Sequence, residues 1–211
     1  LIVGTKITQK DERQVAPNLS GIRPDHLARY ELACKFVVQG AMVGDFACGI
    51  GYGTHLLALQ TDSRSVVGAD IDAGAIEYAH QHYETPKTEF LRGDLLQLSL
   101  PPSSFNLITS FETIEHLKEA GSLLVKFNYA LKSKGFLLCS TPNEEVVPLV
   151  SFGNPYHFMH YKPNEFSEII NAAGFKIIGR YTQTDRQSKA MEEGWHGIYN
   201  TAVCQKIGLP N

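Results

Sequence analysis

Gly44-Asp45-Phe46-Ala47-Cys48-Gly49-Ile50-Gly51-Tyr52-Gly53-Thr54 follows the apolar residues Ala41, Met42 and Val43, and this run decides the fold. It reads as a short buried strand over 41–46, a glycine-rich turn over 49–53 and a helix over 54–60. Glycines placed directly after a buried strand permit a tight turn and let a ligand approach the backbone closely. A dinucleotide fingerprint would need a further glycine three places beyond Gly51, where the chain has Thr54. Asp45 also sets a carboxylate at the strand end, which suits a cationic ligand group better than a pyrophosphate. On this run alone, a glycine turn that binds no nucleotide stays open.

Two more acids follow at matching places. Asp70 closes the next apolar run, Val66-Val67-Gly68-Ala69, 21 residues after Gly49, where a carboxylate can accept both hydroxyls of a ribose. Asp94, in Arg92-Gly93-Asp94-Leu95, follows a third short strand over 88–91 and can accept a hydrogen bond from an exocyclic amine. One such acid is an ordinary loop carboxylate. Three at successive strand ends describe a nucleoside site without phosphates.

Outward from this centre the chain alternates. Helices are expected over 24–39, 54–60, 73–83 and 117–131, from apolar residues spaced three to four apart, with Pro24 at a first helical position. Strands are expected over 65–69, 105–110 and 135–140. That rhythm implies crossover connections and a parallel sheet with helices on both faces. The tail changes: a helix over 163–173 ends at Gly174, and strands over 175–182 and 197–206 are joined by a polar loop with no room for a crossover helix. The expected architecture is α/β, a doubly wound sheet of about seven strands, mostly parallel with an antiparallel C-terminal strand. We expect one domain over 1–211, with an N-terminal arm and helix over 1–40 and a lid or acceptor loop over 144–162. Both segments stand outside the strand–helix rhythm, and inserted segments near strand ends commonly supply substrate contacts.

The chain has 211 residues, 43% hydrophobic and 19% charged, with a net charge of −3. This is the composition of a globular protein, and no dense Lys/Arg block exists to grip phosphates, which disfavours a nucleic-acid partner. Cys34, Cys48, Cys139 and Cys204 form no C-x-x-C pair, so neither a zinc ribbon nor a dithiol redox motif is available. No apolar stretch approaches the roughly 18 residues of a spanning helix. Free thiols and the absence of a leader pattern give a cytoplasmic expectation with no membrane partner. Oligomeric state is not legible.

The run from Asp45 to Gly53 resembles the first motif of the class I S-adenosylmethionine-dependent methyltransferases, of the type 11/23 kind, and the resemblance covers almost the whole chain. It implies a Rossmann-like methyltransferase fold and S-adenosyl-L-methionine as cofactor. By that resemblance Asp45, Ala47 and the Gly49 to Gly51 backbone hold the methionine portion. Asp70 and Ile71 take the ribose side, Asp94 and Leu95 the adenine, and Ser110, at the end of the fourth strand, completes the cofactor set. The segments Asp11-Glu12-Arg13, Pro17 and His26-Leu27-Ala28-Arg29-Tyr30 are similar to the N-terminal region of bacterial methyltransferases associated with glycan or secondary metabolism.

Phe111-Glu112-Thr113-Ile114-Glu115-His116-Leu117 resembles the segment after strand four of ubiquinone-pathway O-methyltransferases and of small-RNA 3′-terminal ribose methyltransferases. In those relatives the Glu-x-x-Glu-His pattern and a later histidine can hold a divalent metal. The expectation here is that Glu112, Glu115, His116 and His157 converge, either as ligands of a divalent cation or as a proton-accepting cluster with His116 or His157 as general base. A third reading has Glu115 and His116 merely capping the next helix. In the loop before the late helix, Phe158 and Tyr161 either line an acceptor pocket or pack the loop onto the sheet. No role is read for His55, His80 or His82. The expected activity is methyl transfer to the hydroxyl of a small-molecule or glycoside-like acceptor. The alternatives are an RNA 3′-terminal ribose 2′-O-methyltransferase and a non-catalytic cofactor-binding domain.

Overall fold

The computed structural model describes residues 14–208. Helix α1 (Pro24–Cys34) opens on Pro24, whose preset φ and missing N–H suit a first helical turn. It ends at Cys34 rather than 39, where the Lys35 and Phe36 amides tighten onto the Leu32 and Ala33 carbonyls at 3.2 and 3.0 Å. Strand β1 (Met42–Phe46) leads through the glycine turn into α2 (Tyr52–Gln60). Gly51 caps α2 at φ +88°, and a Cβ there would lie 2.7 Å from both Ala79 and Phe90, so glycine is required twice over. Next come β2 (Ser65–Asp70) and α3 (Ala73–His82), whose N-cap Asp72 accepts from the Gly74 and Ala75 amides at 2.8 and 3.2 Å.

The chain continues through β3 (Thr88–Arg92), β4 (Phe105–Phe111), α4 (Ala120–Ala130), β5 (Leu131–Pro142), the single turn α5 (Leu149–Phe152), α6 (Pro163–Ala172), β6 (Phe175–Gln183), β7 (Glu192–Glu193) and β8 (Tyr199–Lys206). The sheet order is β3-β2-β1-β4-β5-β8-β6-β7. Neighbours from β3 to β5 run parallel, and β8 is antiparallel to both β5 and β6. The order reverses between β1 and β4, where the carboxyl ends of a doubly wound sheet leave a crevice.

Alternate strand residues face opposite layers. Val43, Val66 and Leu107 pack under α1, α2 and α3 with Leu56, Leu57 and Ala79. Phe46, Val67 and Ile108 pack under α4 and α6 with Leu124, Phe127 and Phe166. The expected layers are therefore present, with three differences in detail. The sheet has eight strands rather than seven, because Glu192–Glu193 adds a short edge beside β6. Strand β5 starts at Leu131 rather than 135, its pairing with β4 jumping from Phe105↔Leu131 to Leu107↔Phe136 around Lys134 at φ +59°. Helix α4 starts at Ala120 rather than 117, because a 3₁₀ turn, Ile114–His116, intervenes and Leu117 is extended.

Among the described residues no helix is long and apolar enough to cross a membrane. All four cysteines are free thiols.

Candidate active site

A cavity of about 1160 Å³ opens at the carboxyl ends of β1, β2 and β4. Its first half is built by the loops after β1, β2 and β3, through Ala47, Gly49, Asp70, Ile71, Asp94 and Leu95. Parallel pairing makes this convergence unavoidable: Phe46 sits opposite Ala69, and Asp70 opposite Arg92, so the three loops leave the sheet at one edge. Ala47 turns the chain there at φ +65°, a left-handed conformation uncommon for a residue with a Cβ, and both its amide and that of Cys48 donate to the Ala69 carbonyl. The Asp70 carboxylate is held from two sides, by the Gly49 amide on Oδ2 and the Asp72 amide on Oδ1, both at 2.9 Å. It is thereby oriented before any ligand arrives. Asp94 accepts from the Leu96 amide at 2.9 Å, and the exposed Ile71 offers an apolar wall between the two acids.

Asp45 lies behind this wall, not on it. It is fully buried, and three hydroxyls donate to it: Thr54 at 2.7 Å, Thr109 at 2.9 Å and Tyr30 at 3.1 Å. Burial pushes its carboxyl up to about 6, although those three hydrogen bonds pull the other way. Tyr30, held by this bond, stands edge-on to Tyr52 and Phe111 with ring centres 5.7 and 5.0 Å away. These rings floor the second half of the cavity, which continues past Glu112 to His26, Arg29 and Tyr199.

Beyond β4 the backbone turns left-handed at Glu112, φ +51°. This sends the Glu112 side chain to β5, where its Oε1 accepts from the Ser140 hydroxyl at 2.6 Å and burial raises its pKa. The following 3₁₀ turn brings Glu115 and His116 together with His157, and one ligand atom from each lies within 4.8 Å of the others. His157 is carried there by the loop after β5, whose Phe158 amide donates to the Glu115 carbonyl at 2.7 Å. His160 Nδ1 lies 2.6 Å from the Val147 carbonyl, so that nitrogen carries the proton and Nε2 accepts. His157 Nδ1, 2.7 Å from His160 Nε2, must then donate. His116 Nδ1 likewise donates to the Tyr156 carbonyl at 3.1 Å. In both rings Nδ1 is thus held by an outer partner, the arrangement found around metal-binding imidazoles.

Residues 44–139 match the methyltransferase domain family. The chain is 31% identical over 144 residues to a "Probable S-adenosylmethionine-dependent methyltransferase" of Mycolicibacterium smegmatis, a match covering 65% of this chain and 53% of that protein. Residues 44–139 thus form a methyltransferase domain, of the class I S-adenosylmethionine-dependent kind. A more distant relative is phosphoethanolamine N-methyltransferase 3 of Arabidopsis thaliana, 26% identical over 159 residues, 72% of this chain and 32% of that one. In fold, the chain is similar to the methyltransferase in a complex with the Trm112 methyltransferase activator from Haloferax volcanii, with a TM-score of 0.75 at 17% identity over 87% of this chain and 91% of that one. The chain spans about half the length of the first curated relatives it matches.

Within this methyltransferase the expected cofactor residues divide. Ala47, Gly49, Asp70, Ile71, Asp94 and Leu95 line the cavity, whereas Asp45, Gly51 and Ser110 do not. Asp45 instead organises the floor through Tyr30, Gly51 shapes the turn, and the Ser110 hydroxyl is buried in the sheet with no hydrogen-bond partner. Of the expected four-residue cluster, Glu115, His116 and His157 converge and Glu112 points elsewhere. Neither Glu115 nor His116 caps a helix: the N-cap of α4 is Glu119. Tyr161 packs into the core beside Phe166, while Phe158 lines the cavity and is half exposed. The expectations for residues 1–13, including Asp11-Glu12-Arg13, lie outside the described residues. Tyr52, Phe111, Arg186 and Tyr199 line the cavity without having been singled out. Tyr52 lies within the glycine run and Phe111 opens the segment after strand four, but nothing local marks Arg186 or Tyr199.

Proposed function

We propose that this chain transfers the methyl group of S-adenosyl-L-methionine to a hydroxyl of a small-molecule acceptor. The observation that carries the oxygen reading is the Glu115, His116 and His157 cluster beside the cavity. A neutral amine attacks a sulfonium through its own lone pair, whereas a hydroxyl must lose its proton, and the two imidazoles on the cavity wall are bases of the kind that takes it. The acceptor oxygen forms the new O–CH₃ bond as the S–CH₃ bond breaks, S-adenosylhomocysteine leaves, and the hydroxyl proton passes to His157 or His116. Positioning does most of the remaining work, since holding donor and acceptor in line can supply about 7–11 kcal/mol.

The cofactor lies along Ala47, Gly49, Asp70, Ile71, Asp94 and Leu95, with the Asp70 carboxylate receiving the ribose hydroxyls. The donor set also fits a divalent cation, one carboxylate and two imidazoles whose Nδ1 atoms are held by outer partners, so Glu115, His116 and His157 would hold it. A bound cation would lower the pKa of an acceptor hydroxyl. Residues 1–40 and 144–162 form the cover over the acceptor within a single domain. Four free thiols fit a reducing, cytoplasmic setting.

The test has two parts. Purified protein should bind S-adenosylhomocysteine in titration calorimetry and not NAD; NAD binding with none for S-adenosylhomocysteine would sink the proposal. S-adenosylhomocysteine release on incubation with acceptor candidates should be lost in His116→Ala and His157→Ala, and metal analysis with turnover before and after chelation separates cation from base. Full activity of both variants would remove the cluster from the chemistry.

A further inference from the structure

The α1 end of the cavity carries an unbalanced set of guanidinium groups. Asp25, fully buried, gives both carboxylate oxygens to Arg23, to Nε and Nη2, at 2.9 Å each. Arg29, one turn along and only 1% exposed, is left 3.9 Å from the same Oδ2, beyond hydrogen-bond reach. Its Nη1 donates to Gln183 Oε1 at 2.7 Å, and its guanidinium lies 4.8 Å from the centre of the Tyr199 ring. Nε and Nη2 are buried with no hydrogen-bond partner. Leaving donors of a charged group unpaired in the interior is costly, so such an arrangement marks a place where something else is meant to bind.

Arg186 adds a third guanidinium on the cavity wall, near enough for its charge to bear on His26 of α1. The acids facing this region are Asp25, already occupied by Arg23, and Glu112, whose carboxyl accepts from Ser140 and whose pKa burial raises against the pull of Arg29, so three guanidinium groups face two acids. His26 reports the same excess: burial and then the charges of Arg29, Arg23 and Arg186 hold it well below the ordinary histidine value, so it contributes no further positive charge and presents a neutral ring. A planar guanidinium with unused N–H groups matches a carboxylate or phosphate better than any neutral group.

We propose that the methyl acceptor carries an anionic group, a carboxylate or a phosphate, that seats against Arg29 and Arg186 at the α1 end of the cavity. This deepens the methyltransferase reading and rests on it. Arg29 then fixes which end of the acceptor lies deep, and the hydroxyl to be methylated is left on the side of His116 and His157.

The experiment titrates protein already loaded with S-adenosylhomocysteine with inorganic phosphate and, separately, with acetate, at constant ionic strength set by chloride. Saturable binding at one site is expected for the wild type, the tighter of the two anions naming the group the acceptor carries. Arg186→Gln should weaken that binding at least about tenfold while leaving S-adenosylhomocysteine affinity unchanged. Arg29→Lys, which keeps the charge but loses the fork, should do the same. Because Arg186 is an exposed turn residue, its variant decides the question even where Arg29→Lys fails to fold. Failure of S-adenosylhomocysteine to bind would overturn the methyltransferase reading and this one with it. Normal S-adenosylhomocysteine binding with no saturable anion binding, or with equal anion affinity in Arg186→Gln, would overturn this one alone.

Discussion

Replacing Asp70 by alanine, set beside Asp72→Ala, separates cofactor recognition from folding. The carboxylate serves two masters. It accepts the Gly49 and Asp72 amides at 2.9 Å, and on the proposed reading it also accepts the ribose hydroxyls. Loss of the ribose contact costs the cofactor about 1.5–3 kcal/mol, the range for hydrogen bonds to a charged group. That is about 10- to 150-fold in Kd for S-adenosylhomocysteine. Loss of the amide contacts costs stability instead, about 1–3 kcal/mol for each buried N–H left without its acceptor. The control is Asp72→Ala, two residues away. Its carboxylate caps α3 through Gly74 and Ala75 and is not on the cavity wall, so its removal costs about 1 kcal/mol of stability and leaves the cofactor alone. Calorimetric titration gives the affinities, and urea unfolding followed by the fluorescence of Trp195 gives the stabilities. An Asp70→Ala protein that is folded and binds S-adenosylhomocysteine as tightly as the wild type would refute the reasoning, as would an equal loss of affinity in Asp72→Ala.

Three further outcomes are expected. Burial raises Asp45 from 3.8 to about 6, so the folded state holds that proton more tightly than the unfolded chain; its contribution to stability is greatest below the unfolded value and falls by about 3 kcal/mol as pH rises to the folded one. The unfolding free energy of wild type minus that of Asp45→Asn should follow this decline between those two pH values, and a difference independent of pH would refute it. Gly53→Ala should destabilise by about 1–3 kcal/mol, because a Cβ there would lie 1.9 Å from the Tyr30 ring; in a Tyr30→Ala background the same change should cost much less in urea unfolding, and strict additivity would count against the steric cause. Deleting residues 1–23 removes Arg23 and the Ala16 carbonyl that accepts from the Tyr83 hydroxyl, and should impair acceptor turnover more than S-adenosylhomocysteine affinity; unchanged turnover would take the arm out of the site.

The features legible in the sequence are those whose causes lie within a few residues or within the repeating rhythm of the sheet. The glycine turn announces itself because Gly51 must be left-handed, and the three strand-end acids can be aligned from sequence because parallel strands joined by right-handed crossovers share one carboxyl edge. Glu112 shows where that logic stops. The Glu-x-x-Glu-His resemblance sets it beside Glu115 in the turn after the fourth strand, but a single left-handed residue at position 112 turns its side chain to Ser140, 28 residues away. Asp45 is similar: its position at a strand end is local, yet its burial is produced by hydroxyls from α1, α2 and β4. Arg29 is the extreme case. Its place in the N-terminal arm suggests a residue near the acceptor, but only β6 and β8, supplying Gln183 from 154 residues away and the Tyr199 ring, enclose it and leave two of its nitrogens unbonded. The cofactor half of the cavity is made of local turns and the acceptor half of such distant pairings. A methyltransferase domain can therefore be read from its motifs while its acceptor cannot, and the residues that discriminate acceptors belong among those whose surroundings are assembled last, from the far end of the chain.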